Sequence, residues 1–149
     1  AKLLINSMPD YALFGEKDFQ QVLVIRRMVI DMLLPVQIVS MPTCRETDGL
    51  AMSSRNRYLS PEERRKSPAI YSALKFAVER LRKGSFTVEE IEQEGAQSLT
   101  AMGMKVEYFS VRRQHDLLPV NSSDRDIVIL TAVWLGSARL IDNLKVTLD

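Results

Sequence analysis

The sequence has few of the residue types that small proteins use for cross-links and metal sites. Its 149 residues include one cysteine, Cys44, and one histidine, His115. A single cysteine excludes an internal disulfide framework and a zinc site built from several cysteines. Reduced thiols are typical of the cytosol, so we expect a cytoplasmic protein.

Long apolar runs and an excess of one charge are also missing. The longest nearly apolar stretch, residues 127–135, is much shorter than the ~20 residues that span a bilayer. The net charge is +1, acids and bases are interspersed, and aromatic residues make up 7% of the chain. We therefore predict that neither a membrane nor a nucleic acid is a partner. The hydrophobic fraction of 46% is that of an ordinary folded domain.

The first 41 residues have the pattern of a β-α-β unit. Residues 11–14 and 36–41 are short apolar runs, and the segment 18–32 between them has the apolar spacing of a helix. Strands joined by a helix in this way build parallel sheets. We interpret residues 1–41 as the tail of a larger doubly wound, Rossmann-like sheet, with a buried first strand and a helix packed between layers.

The remainder, residues 42–149, has the pattern of a small α+β domain. Residues 42–57 are polar and show neither helical nor strand periodicity, which predicts a long loop. Capping boxes at 60–63 and 87–90 predict two helix starts, and Pro68 predicts a kink or a break near Ser67 in the first helix. Three β-rich runs then predict an antiparallel sheet: 106–111, 127–135 and 140–148. The fold class is therefore α/β overall.

A glycine, a lysine and an aspartate follow the first predicted strand. Gly15 lies between a strand end and a helix start, the edge at which open α/β sheets bind ligands. Lys17 suits a phosphate, and Asp18 suits a hydroxyl such as that of a ribose. Asp18 is equally suited to cap the helix, with Gln21 in the capping-box position and Lys17 merely solvated. The local pattern leaves both interpretations open.

A second polar group occupies residues 48–56. Ser53, Ser54 and Arg55 offer hydrogen-bond donors that can neutralise a phosphate chain, and Gly49 permits a tight bend. An ordinary polar turn has the same composition. The presence of both groups in one chain favours a nucleotide site. In such a site the residues after the first strand would bind the sugar, and residues 48–56 would bind the phosphates. We expect this loop to be mobile without nucleotide and to order around it.

Together these segments resemble the pantothenate synthetase family. Residues 14–21 are similar to its strand-to-helix segment, 48–59 to its signature loop, and 134–143 to its C-terminal segment. The signature loop is the counterpart of the Lys-Met-Ser-Lys-Ser loop of class I aminoacyl-tRNA synthetases. The resemblance implies an adenylate-forming ligase that uses ATP and Mg²⁺ and joins pantoate to β-alanine. It also implies a homodimer in the complete protein.

The resemblance further implies a role for each matching residue. Lys17 and Arg55 would be the catalytic cations, and no residue would ligate a metal directly. The other assignments are Gly15 and Asp18 for the ribose, Lys17, Ser53, Ser54 and Arg55 for the triphosphate, Cys44 and Met52 for adenine through their backbone, and Gln21 for pantoate. Cys44 stands where the family has a small aliphatic residue, and we interpret it as a packing residue rather than a nucleophile.

The family is nearly twice this long, and its first half carries a His-x-Gly-His motif that this sequence lacks. His115 lies in a polar stretch and is interpreted as a surface or strand-end residue. Because the chain also starts with Ala1 inside an apparent helix, we expect an incomplete C-terminal portion with little or no ligase activity alone. Two alternatives are a non-catalytic lid or interaction module without ATP binding, and another nucleotidyl transferase of the same broad fold.

Overall fold

A computed structural model of the chain describes residues 1–84 and 86–148. It divides into two compact units, one of residues Ala1–Thr43 and one that begins at Cys44. The assignment of functional domains to residues 1–41 and 42–149 stays a prediction. The second of these includes Ser85 and Asp149, which lie outside the described residues.

The first unit is a strand-helix-strand arrangement preceded by one short helix. Its elements are α1 (Lys2–Ser7), β1 (Tyr11–Gly15), α2 (Phe19–Asp31) and β2 (Gln37–Met41). The two strands pair in parallel, from Tyr11 opposite Gln37 to Gly15 opposite Met41. The predicted parallel β-α-β unit is therefore confirmed.

Little of the first unit is buried. Among its described residues, Phe19 and Val22 of α2 are the buried hydrophobic side chains. Leu13 in β1 is 62% exposed and Val24 in α2 is 67% exposed. The prediction of a buried first strand is wrong for this chain, because no further layer of described residues covers these side chains.

The second unit begins its regular structure with three helices, which are α3 (Pro61–Lys66), α4 (Ala69–Lys83) and α5 (Val88–Ala101). Both predicted capping boxes form, at Ser60 with Glu63 and at Thr87 with Glu90. In each box the side chains and backbone N–H groups satisfy one another at the helix start. The predicted break separates α3 from α4 at Pro68, whose ring nitrogen has no hydrogen to donate.

A three-stranded antiparallel sheet completes the second unit. Its strands are β3 (Lys105–Arg113), β4 (Asp126–Leu135) and β5 (Ala138–Thr147), with β4 in the middle. Helix α5 packs mainly on β3, and α4 packs on β5 and β4. Leu74 of α4 and Ile129 and Val133 of β4 are completely enclosed. The predicted fold class is confirmed, since a parallel β-α-β unit precedes an α+β unit with an antiparallel sheet.

Candidate active site

The first group of predicted site residues lies where β1 ends. Gly15 is the last residue of β1, and one 3-10 turn, Glu16–Asp18, leads directly into α2. Gly15 has a φ of −71°, which any residue adopts, and a Cβ atom placed on it would meet nothing within 4 Å. Neither the backbone nor the packing therefore requires a glycine at the carboxyl end of this strand.

Asp18 and Gln21 do not form the predicted capping box. Asp18 occupies the N-cap position of α2, but its side chain makes no capping hydrogen bond. Its φ of −92° and ψ of 60° differ from the extended geometry that directs a capping side chain at the helix N–H groups. Both side chains are exposed, whereas Lys17 is half-buried. The capping interpretation is wrong, so the helix does not use the Asp18 carboxylate.

In the second unit, residues 44–52 form a small hairpin. The backbone N–H of Met52 donates to the carbonyl of Cys44 at 2.9 Å and closes its open end. A 3-10 turn, Ser54–Tyr58, follows at once. The predicted loop is confirmed in so far as no α-helix or β-strand lies within residues 42–57, but hydrogen bonds and one isolated β-bridge give it a hairpin shape that the sequence pattern did not predict.

The turn of this hairpin is held by an aspartate and an aromatic ring. Asp48 accepts the backbone N–H of Leu50 at 3.2 Å and the Arg64 guanidinium at 2.5 Å. The hydrogen bond from Arg64 holds the pKa of the Asp48 carboxyl below its usual range. Gly49 has a φ of +94°, and a Cβ atom on it would lie 2.6 Å from Cδ1 of Tyr71. This position therefore requires glycine for both its conformation and its close packing.

Four residues outside the predicted set anchor the hairpin to the rest of the unit. Arg45 donates from Nη1 and Nη2 to the two carboxylate oxygens of Asp142 in β5, at 2.6 and 2.9 Å. The same guanidinium donates to the carbonyls of Gly49 and Asn143 and lies 3.9 Å from the ring centre of Tyr71. Sequence reasoning missed this arrangement because Arg45 and Asp142 are 97 positions apart, and no local pattern links them.

The predicted phosphate-binding residues follow the hairpin directly. Ser53 is extended, with a φ of −155°, and its Oγ accepts the backbone N–H of Arg55 at 3.2 Å. Asn56 donates from Nδ2 to the carbonyl of Ala51 at 3.2 Å, which ties the turn back to the hairpin. Ser54 and Arg55 are exposed. Two hydroxyls and one guanidinium are thus carried by three consecutive residues of a structured segment.

The two predicted adenine-binding residues are joined through their backbones, and their side chains lie at the surface. Cys44 is an exposed free cysteine, so the prediction that its thiol packs against other residues is wrong. Met52 is 53% exposed. His115 is confirmed as a surface residue, since its side chain is 69% exposed and its Nε2 lies 3.3 Å from a carboxylate oxygen of Asp116.

The structure gathers the predicted site residues into two groups, one in each unit. Gly15, Lys17, Asp18 and Gln21 form the first, and Cys44, Met52, Ser53, Ser54 and Arg55 form the second. Their assembly around one nucleotide stays a prediction. Within residues 1–84 and 86–148, no three His, Cys, Asp or Glu side chains are grouped so that they could hold a metal ion. No helix in the same ranges is long and apolar enough to cross a membrane.

Comparison with known sequences gives the same family along almost the whole chain. Residues 1–145 match the family described as pantoate-beta-alanine ligase. The pantothenate synthetase of Methylococcus capsulatus is 51% identical over 99% of this chain, and that of Pseudomonas aeruginosa strain PAO1 is 49% identical over 100%. The matches cover 52% and 53% of those two proteins, so the chain spans about half the length of the curated relatives that it matches.

Solved structures agree with the sequence relatives. A pantothenate synthetase from Thermus thermophilus superposes with a TM-score of 0.87 at 42% identity, over 96% of this chain and 52% of that one. A pantoate-beta-alanine ligase from Francisella tularensis, complexed with beta-gamma ATP and beta-alanine, superposes with a TM-score of 0.70 at 29% identity. That match covers 96% of this chain and 46% of the other.

Proposed function

The chain belongs to the pantoate–β-alanine ligase family, and from this premise we propose that it forms the ATP-binding part of an enzyme that joins pantoate to β-alanine. In the first proposed step, a carboxylate oxygen of pantoate attacks the α-phosphorus of MgATP, and the bond to pyrophosphate breaks. In the second, the amine of β-alanine attacks the acyl carbon of pantoyl adenylate. AMP leaves, and the amine loses a proton to give the amide.

The observation that carries this proposal is a set of four residues, three polar ones and a glycine, that the fold itself does not use. Asp18 stands at a helix start without capping it, and Gly15 is required neither by its backbone nor by its neighbours. Ser54 and Arg55 are exposed on a segment whose base is buried and tied by hydrogen bonds. Residues held by a scaffold but not used in it are typical of ligand sites.

The proposed chemistry needs positive charge more than it needs a nucleophile. Adenylyl transfer is accelerated mainly by positioning and by stabilising the charge that develops on the phosphates. We assign that charge to Lys17 and Arg55, whose guanidinium fork matches two phosphate oxygens. The hydroxyls of Ser53 and Ser54 are assigned as further donors to the triphosphate.

The remaining contacts of the proposal concern the nucleoside and the acid. The Asp18 carboxylate would accept a ribose hydroxyl, and the missing side chain at Gly15 would let the sugar approach the strand end. The Gln21 amide would hydrogen-bond pantoate. The backbones of Cys44 and Met52, already joined to each other, would flank the adenine.

Mg²⁺ enters this proposal with the substrate, as MgATP. The described residues offer no group of three acidic or histidine side chains for a protein-bound ion. In nucleotide sites Mg²⁺ is held largely by phosphate oxygens and water, with few protein ligands. The ion would reduce the charge of the triphosphate that Lys17 and Arg55 must balance.

Calorimetric titration of the 149-residue chain with MgATP tests the proposal. We expect Lys17→Ala and Arg55→Ala each to weaken binding by about tenfold, the effect of one lost charge-assisted hydrogen bond. Lys2→Ala and Arg65→Ala are the matched controls, because each removes an exposed cation from the same unit. Absence of binding by the unsubstituted chain, or equal affinity in all variants, would overturn the proposal.

We further propose that these 149 residues alone ligate little or no pantoate. The one histidine lies on the surface beside Asp116, and the chain spans about half the length of its relatives. The measurement is β-alanine-dependent AMP release, with a full-length relative such as the Methylococcus capsulatus protein as the positive control. Turnover near that of the control would refute this part.

A second candidate is a non-catalytic interaction module. It is favoured by apolar side chains that remain exposed in the first unit, among them Leu13, Val24 and Ile30. Such side chains promote association with a partner or a second copy. Sedimentation that shows association, together with no MgATP binding, would support this candidate. The homodimer and the cytoplasmic location stay predictions.

A further inference from the structure

We propose that Arg45 and Asp142 position the phosphate-binding residues 53–55, an inference that rests on the ATP-binding role proposed above. Neither residue belongs to the set of expected ligands. Their ion pair lies at the base of the hairpin that ends where Ser53 begins. Arg45 would therefore affect ATP through the residues that it holds, not through contact with ATP.

The contacts of Arg45 join three separate pieces of backbone. Its guanidinium binds both carboxylate oxygens of Asp142, the carbonyl of Asn143 in the same strand, and the carbonyl of Gly49 at the hairpin turn. One face of the group also lies against the Tyr71 ring of α4. A planar fork with five N–H donors can serve these acceptors together, whereas a lysine ammonium cannot. The hairpin is thus fixed to both the sheet and a helix.

The strand end of this connection is buried and hydrogen-bonded. The Asp142 side chain is 3% exposed, and its Oδ1 also accepts the backbone N–H of Asn143 at 2.8 Å. Asp142 lies opposite Thr131 of β4, which is completely enclosed. A carboxylate held in this way gives Arg45 a fixed partner, because its strand can move only if the core opens.

The connection continues from Arg45 to the hydroxyls and guanidinium of residues 53–55. Arg45 pairs with Ala51 across the hairpin, and Ala51 is 3% exposed. The Ala51 carbonyl accepts Asn56, and the next residue, Met52, is bonded to Cys44. The residues on either side of segment 53–55, Met52 and Asn56, are therefore both held by hydrogen bonds to the hairpin. A site that is already ordered loses less conformational entropy when it binds a ligand.

The test compares Arg45→Lys with Arg80→Lys in the 149-residue chain. Arg80 also pairs with a carboxylate, Glu94 at 2.9 Å, and also stacks on an aromatic ring, Phe86 at 3.7 Å, but it is not part of the hairpin. Both changes keep the charge and remove the fork. We expect Arg45→Lys to weaken MgATP binding by about tenfold and Arg80→Lys to leave it unchanged.

A double-variant cycle separates positioning from general loosening of the fold. If Arg45 acts through residues 53–55, then Arg45→Lys will weaken MgATP binding less in an Arg55→Ala background than in the wild-type background. A purely structural role would produce the same loss in both backgrounds. Hydrogen exchange should also rise in residues 44–55 of Arg45→Lys, while exchange in β4 stays unchanged.

The outcomes distinguish this inference from the function on which it rests. Wild-type affinity and wild-type exchange in Arg45→Lys, with binding still lost in Arg55→Ala, would overturn the inference and leave the proposed function standing. Additive losses in the cycle would also overturn it. If the unsubstituted chain does not bind MgATP, the proposed function is overturned. The proposed effect of Arg45 on ATP binding is then overturned as well.

Discussion

The two units of the chain differ in how much of their apolar surface they bury. In the second unit, two helices pack on the sheet, and Leu74, Ile129 and Val133 are completely enclosed. In the first unit, Phe19 and Val22 are the buried hydrophobic residues of the described part. Its exposed large apolar side chains are Leu3, Ile5, Met8, Tyr11, Leu13, Val24, Ile30, Met32, Leu33 and Met41.

This difference means that the two groups of site residues belong to units of unequal stability. Apolar burial is the main favourable term in folding, and a segment as short as Ala1–Thr43 buries too little to be stable by itself. The hairpin before residues 53–55 is held by contacts within its own unit. The corner at Gly15 and Asp18 depends on a unit that has only a small core.

The largest expected effect is a contrast in hydrogen exchange between β4 and α2. Amides of β4 should exchange only through global unfolding, whereas α2 should open locally, so protection should differ by on the order of a thousandfold. Mass spectrometry of deuterated peptides from the intact chain measures this. A dilution series is the control, since association could protect α2. Equal protection of β4 and α2 at the lowest protein concentration would contradict the expected difference in stability between the two units.

Core truncation gives the next largest effect. Leu74→Ala should lower the free energy of unfolding of the second unit by about 2–5 kcal/mol, because it leaves a cavity in an enclosed site. Val22→Ala in the first unit should leave that free energy unchanged. Urea denaturation followed by Trp134 fluorescence reports on the second unit. A comparable loss in both variants would mean that the units unfold together.

Much of the fold was predictable because its signals are local. Three of these features each depend on residues close together in sequence: the capping boxes at 60–63 and 87–90, the break at Pro68, and the parallel β-α-β pattern. Burial of the first strand was not predictable, because it depends on whether another layer covers the strand. The five residues of β1, Tyr11–Gly15, are compatible with an exposed strand and with a buried one.

The candidate site was less predictable, for two physical reasons. The prediction that Asp18 caps the helix was wrong because a 3-10 turn sets the backbone conformation of Asp18. The spacing of residues in the sequence does not reveal that turn. The hairpin anchor was missed because Arg45 and Asp142 meet only after the sheet has formed. The exposed thiol of Cys44 shows the same limit, since the hydrogen bond of its backbone to Met52 does not decide whether its side chain is buried.

Two glycines offer a matched comparison between the units. Gly49→Ala should destabilise the second unit by about 1–3 kcal/mol, because it combines a φ of +94° with a clash against Tyr71. Gly15→Ala should not destabilise the chain, since its φ is ordinary and its surroundings are open. It should nevertheless weaken MgATP binding if the sugar approaches this strand end. Denaturation and calorimetry on both variants measure the two effects, and a stable Gly49→Ala variant would contradict the expectation.

The smallest expected effect concerns the ion pair between Asp48 and Arg64 and its dependence on pH. The hydrogen bond from Arg64 lowers the pKa of Asp48 in the folded chain, so the pair stabilises the fold above the unfolded pKa of the carboxyl. This contribution should disappear as the pH falls through the folded pKa. Urea denaturation of wild type and Asp48→Asn should therefore show a small difference in stability at neutral pH that vanishes in acid.

Salt and a second aspartate sharpen this last prediction. Added salt should reduce the difference between wild type and Asp48→Asn, because the pair is partly exposed and its charges are screened. Asp31→Asn is the matched control, since Asp31 pairs with Arg27 within α2 of the first unit. It should leave the unfolding of the second unit unchanged at every pH. A difference for Asp48→Asn that persists in acid, where both side chains are uncharged, would contradict the assignment of this effect to the ion pair with Arg64.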